Sequence, residues 1–109
     1  MNMQSSTAVW PELFDTNGFL RDGSNWSESL AREIAAVDGL GPLTPHHWKV
    51  IQVLRAHWRD CQSLPALSHV CHLAGLEGDC VNVLFRGARH AWRIAGLPDP
   101  GSEARAYLS

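Results

Sequence analysis

The sequence predicts an α+β, mostly helical domain: a small N-terminal β-hairpin or meander packed on a bundle of about five helices, with a C-terminal arm. Three observations predict it. Apolar residues recur at helical spacing in four stretches between residues 25 and 95, each bounded by capping or turn residues. Asn17-Gly18 lies between two short apolar segments, a strong hairpin signal because both residues tolerate positive φ. Pro98 and Pro100 then stop the last apolar run and leave a polar tail.

Taken in order, residues 1–10 read as a flexible leader, since termini fray unless tied down. The domain is expected over residues 11–97 and the arm over 98–109. Glu12–Asp15 and Phe19–Arg21 form the two arms of the hairpin. Asn25 then caps a first helix, with Glu28 three residues on as its capping-box partner, and Trp26, Leu30, Ile34 and Val37 make its apolar stripe. Gly39 ends it. Thr44 is a good N-cap and Pro45 suits the first helical position. Trp48, Ile51, Leu54 and Trp58 line one face of this second helix. Ser63 and Pro65 open a third, with Leu67, Val70 and Ala74 inward and Gly75 at its end. A short segment, GDCVNVLF, comes next. Gly87 leads into a last helix that turns Ala88, Ala91, Trp92 and Ala95 to one face.

The totals narrow the function classes. The 109 residues suit one domain. With 45% hydrophobic and 18% charged residues the chain is globular rather than disordered. No run is long and apolar enough for a transmembrane helix, no signal peptide is visible, and no membrane partner is expected. Three cysteines, Cys61, Cys71 and Cys80, are odd in number and fit no disulfide framework, so a reducing cytoplasm is the expected location. The net charge of -2 argues against bulk nucleic-acid binding. The charge is uneven, however. Arg86, Arg89, His90 and Arg93 fall on one helical stripe. The plain alternative is a solvated face, the usual state of a charge run. The functional one is a docking face for an acidic partner or a phosphate backbone.

Candidate chemistry is sparse. His69, Cys71 and His72 sit together in HVCH, but structural zinc needs four ligands at tight spacing, and Cys61 and Cys80 lie too far along the chain. No metal site and no cofactor are expected. A nucleophilic cysteine needs nearby positive charge or a helix N-terminus. Cys61 ends a helix, and Cys80 follows Asp79, so both are poorly placed. His46 and His47 read as first-turn surface groups beside Trp48.

The stretch AWRIAGLPDP, Ala91 to Pro100, resembles the ending of the DsrC/TusE sulfur-relay family, close to Q-A-C-K-I-A-G-L-P-K-P-T-G-C-V. The resemblance continues upstream in Asp15–Leu20, in Asn25-Trp26, in Leu43–Leu54 followed by Arg55, and in Leu84-Phe85 before Gly87. Several motifs in the right order make it specific. It implies a small hairpin on a helical bundle and a C-terminal arm whose penultimate cysteine carries sulfur. It also implies sulfite reductase or sulfur-relay proteins as partners. The family's inner arm cysteine falls on Trp92 and its penultimate one on Glu103, and the lysine between the prolines becomes Asp99. The expectation is therefore a non-catalytic binding or regulatory member of that family. Its docking surface would be Arg86, Arg89, His90 and Arg93 with Trp92, Pro98, Asp99 and Pro100 at the root of the arm. Two alternatives stand beside it: a sulfur carrier that uses a body cysteine, Cys71 or Cys80, and a nucleic-acid-binding regulator.

Overall fold

The computed structural model describes residues 12–108; the expected leader lies outside them. The helices are α1 (Glu28–Val37), α2 (Pro45–Cys61), α3 (Leu67–Leu73), α4 (Cys80–Phe85), α5 (Ala88–Ile94) and α6 (Ser102–Leu108), with a single 3-10 turn at Gly23–Asn25 before α1.

The predicted β element is not formed. Among the described residues there is no strand, and the expected hairpin is reduced to one antiparallel bridge between Phe14 and Leu20. The turn itself is where the Asn-Gly signal puts it. Gly18 has φ of 88°, and the Asp15 carboxylate accepts from the amides of Asn17 and Phe19. The bridge keeps two ladder bonds, Asp15 N to Phe19 O and Arg21 N to Leu13 O, but the Phe19 amide goes to the Asp15 carboxylate rather than across the pair. Side chains take the outward and turn carbonyls. Arg21 Nε donates to Phe14 O, Arg89 to Asn17 O and Arg93 Nε to Gly18 O. Immediately after Arg21 the chain enters the 3-10 turn capped by Asp22. The fold is therefore all-helical in its regular elements rather than α+β.

Local chemistry sets the helix ends. Ser27, not Asn25, caps α1 by accepting from Leu30 N, because Asn25 is already inside the 3-10 turn. The α1 stripe also rotates: Leu30, Ala31, Ile34 and Ala35 are buried, whereas Val37 is 68% exposed. Thr44 and Pro45 start α2 as the sequence indicates, with the Thr44 side chain accepting from His47 N. Gln62, in the left-handed region, ends it.

α5 is the centre of the packing. It touches α1, α2, α4 and α6, and Ala88, Ala91, Trp92 and Ile94 are buried along it. Ala88, Ala91 and the capping Ala95 let the neighbouring helices approach closely, and Trp92 fills the remaining volume at 1% exposure. Its C-terminal end is closed by a tight turn at Gly96, whose φ is 73°. The Trp26 ring lies so close there that a Cβ on residue 96 would fall 2.0 Å from Trp26 Cδ1. Replacement of Gly96 with Ala is expected to cost about 2–4 kcal/mol, from left-handed strain plus overpacking. Urea denaturation of the variant checks this; a loss below 1 kcal/mol, roughly the penalty for positive φ alone, would show that Trp26 gives way.

Candidate functional site

The residues that the sequence singles out converge on α5 and on the arm that follows it. Leu97 is buried at 3% exposure. Pro98 O accepts from Trp92 Nε1 at 2.8 Å, and Trp58 meets the Trp92 ring edge-on at 5.6 Å. The Trp92 indole is thus packed on its apolar part and satisfied at its one polar atom. Asp99 fixes the next stretch: its carboxylate accepts from Gly101 N, from Asn17 Nδ2 and from Arg105. The Arg105 guanidinium, then the Gly101 amide, hold the Asp99 carboxyl below its ordinary value. α6 then lays the arm back on the body, and Leu108 is buried at 4% exposure. The arm is docked rather than extended.

Glu103 lies in the first turn of α6, exposed. Beside it an apolar cleft of about 410 Å³ separates Leu64–Leu67 from Ala104 and Tyr107. Glu103 is the polar group on that cleft's arm side.

The basic stripe is turned largely inward. Arg93 Nη1 donates to both carboxylate oxygens of Asp38 at 2.7 Å, and His90 Nδ1 meets Asp38 Oδ2 at 2.9 Å. Arg89 holds Asn17 O and lies over the Phe19 ring. These three side chains tie α5 to the end of α1 and to the N-terminal turn. Arg86, in the left-handed region at the end of α4, is exposed.

The structure joins Cys71 to Cys80 in a disulfide, with Cα atoms 5.8 Å apart. The sequence reading of three unpaired thiols is corrected here. The turn at Gly75 brings the end of α3 beside the start of α4, a proximity that spacing alone does not reveal. Both sulfurs are buried, so neither body cysteine is an accessible thiol; Cys61 is free and exposed. His69 and His72 are exposed and point to no shared site, and the described residues contain no group of His, Cys, Asp and Glu able to hold a metal.

His47 is a second correction. It is buried, not a surface group. Its Nδ1 accepts from Thr44 N and its Nε2 meets Leu84 O at 2.8 Å. An amide can only donate and a carbonyl can only accept, so these partners assign the proton to Nε2. His47 therefore pins the start of α2 to the end of α4. Sequence reasoning also passed over Arg55. It donates to Ala95 O and stacks on Trp26 at 3.8 Å. A signal was there: it has no acid at helical spacing, and Arg59 stands one turn away.

Residues 12–102 match the DsrC like protein family. The chain belongs to the DsrC family. Sulfurtransferase TusE of Shigella dysenteriae is 36% identical over 95 residues, which cover 79% of this chain and 86% of that protein. Sulfurtransferase TusE of Escherichia coli K12 is 35% identical over the same shares. Among solved structures, the oxidized gamma subunit of dissimilatory sulfite reductase, DsrC, from Archaeoglobus fulgidus aligns at a TM-score of 0.67 and 30% identity. That alignment covers 82% of this chain and 89% of that one. A structure of dissimilatory sulfite reductase I, DsrI, aligns at a TM-score of 0.71 with 24% identity over 81% and 86% of the two chains, which speaks for the fold alone. These relatives place the chain in the sulfur-relay family. The family match ends at Ser102, one residue before Glu103.

Two outcomes test the docked DsrC-family arm. Trp92→Phe removes the bond to Pro98 O and part of the contact with Trp58; it is expected to cost about 1–3 kcal/mol and to speed proteolysis between Pro98 and Arg105. An unchanged digestion rate would show that Trp92 does not hold the arm. The ionised form of Asp99 is the one that is bonded, so its contribution is complete above the ordinary value of 3.8 and fades as pH falls through the lower folded-state value. The Gly101 amide resonance should therefore titrate below pH 3.8, and Asp99→Asn should remove that titration.

Proposed function

We propose that this chain is a non-catalytic member of the DsrC family, a binding or regulatory component related to sulfur relay or sulfite reductase. The observation that carries this reading is the state of Trp92. At the position that matches the family's inner arm cysteine stands a buried indole, bonded to the arm it precedes. An indole cannot close or open a disulfide. At the position of the penultimate cysteine stands Glu103, and a carboxylate cannot carry sulfane sulfur, which requires a thiolate. The exchange replaces a moving, reactive arm with a packed one.

The partner in this reading is a protein, of the sulfite reductase or sulfur-relay kind. The surface offered to it is the arm root, Pro98–Pro100, with the exposed Arg86 beside α5. Arg89, His90, Trp92 and Arg93 support that surface from behind, through the bonds already described. Nucleic acid is the weaker partner, because three of the four basic groups of the stripe are spent on protein acceptors. The location belonging to this reading is the cytoplasm; among the described residues no helix is long and apolar enough to cross a membrane. The Cys71–Cys80 bond pulls the other way, since reducing compartments open most disulfides.

Intact-protein and peptide mass spectrometry test the proposal, before and after exposure to a persulfide donor. The unreduced protein should show one reactive thiol, Cys61, which serves as the internal control. No sulfur should appear on Cys71 or Cys80. Reductant-labile sulfur on either one, passed on to an acceptor thiol, would overturn the proposal in favour of a carrier that works through the body.

A further inference from the structure

A groove of about 370 Å³ runs between the N-terminal turn, α2 and the first residues of the arm. Arg21, Arg55 and Arg59 line it, together with Asp22, Trp58 and Pro98. Three guanidinium groups thus face one carboxylate. That carboxylate is already committed: Asp22 Oδ1 accepts from Ser24 N and Ser24 Oγ at 2.9 and 2.8 Å.

Arg55 is the unusual member. It is half-buried, stacked on Trp26, and bonded through Nη1 to Ala95 O. Among the described residues no carboxylate pairs with it. Removing a cation from water without a counter-ion is costly, and here burial and then the neighbouring Arg59 both weaken the hold of Arg55 on its proton. An anion in the groove relieves both strains. The donors to receive one are present. A guanidinium has five N–H groups; Arg55 spends one on Ala95 O, and Arg21 spends Nε on Phe14 O. Among the described residues no buried side-chain nitrogen is left without a partner, so the remaining donors of Arg55 reach solvent rather than being sealed in the core, at a side chain that lines this groove and a neighbouring cleft beside Glu28. Arg59 completes the wall, exposed and only loosely engaged with Asp60 at 3.6 Å. Two of the three guanidiniums are held in place before any ligand arrives, which lowers the ordering cost of binding. Guanidinium forks match oxyanions in both charge and geometry, and three around one groove suit an anion with three or more acceptor oxygens.

We propose that the groove between Arg21, Arg55 and Arg59 binds a small oxyanion of the phosphate or sulfate class, either as the free ion or as a monoester. Trp58 and Pro98 supply an apolar wall against which the organic part of an ester can lie. None of the three arginines belongs to α5 or the arm, so the anion-binding donors are independent of the reading of Trp92 and Glu103; only the Pro98 wall is shared with the arm root.

The test is an NMR titration of the arginine Nε–Hε resonances of the full chain at constant ionic strength, first with inorganic phosphate and then with phenyl phosphate. The expected result is saturable shifts confined to Arg21, Arg55 and Arg59. Arg59→Gln, an exposed substitution that spares the fold, should weaken binding about fivefold or more, the loss of one charge-assisted hydrogen bond. Arg55→Lys, which keeps the charge and loses the fork, should weaken it as well. Tighter binding of the ester would support the site with an ester as its occupant, and tighter binding of the free ion would support it with an inorganic anion. Shifts that grow linearly without saturation, that spread to Arg86 and Arg89, or that survive Arg59→Gln unchanged would overturn the proposal.

Discussion

The last turn of α5 ends in carbonyls that the helix itself cannot satisfy, and much of the molecule is arranged to satisfy them. Trp26 Nε1 donates to Ile94 O at 2.9 Å and Arg55 Nη1 to Ala95 O at 2.9 Å. One comes from the segment before α1 and the other from the middle of α2, so the end of α5 draws two distant parts of the chain together. The positive end of each donor also meets the negative end of the helix dipole. Gly96 can then reverse the chain without a side chain, and the Trp26 ring occupies the space that a Cβ would need. Every residue of the arm takes its direction from that turn.

The basic face of the same helix faces outward in charge but inward in contact. Arg93 and His90 close on Asp38, which is 8% exposed in its side chain. A pair this buried is costly to form and more costly to break on one side only. It fixes α1 against α5 rather than leaving a charged surface for a partner. Arg93, with Arg89 beside it, also takes the carbonyls of the N-terminal turn and anchors that turn to α5. One set of side chains accounts both for the anchored turn and for the hidden stripe.

At the arm of this DsrC-family chain, packing is extensive. Trp92 adds a large apolar body whose single donor finds Pro98 O, and Asp99 adds a second anchor through Arg105 and Asn17. Both anchors lie between the arm and the body. The pairing of Cys71 with Cys80 adds a covalent link between α3 and α4, away from the arm.

The sequence by itself determined α1, α2, α3 and α5 and the family, but not the helical turns of α4 or the α6 helix within the arm. Thr44-Pro45, the Gly39 and Gly75 stops and the apolar face Ala88–Ala91–Trp92–Ala95 are local signals, because caps, turns and helical periodicity are settled within a few residues of chain. The order of motifs from Asp15 to Pro100 placed the chain among the sulfur-relay proteins for the same reason: it is written along the chain. Tertiary structure alone decided what depends on a distant partner. Whether the Asn17-Gly18 turn is anchored to α5 rests on where Arg89 and Arg93 reach, whether His47 is wet or buried rests on Leu84 O, and whether Cys71 is a thiol rests on where α4 begins. Polar and sulfur groups take their state from what they meet across the fold, and the sequence does not record those meetings.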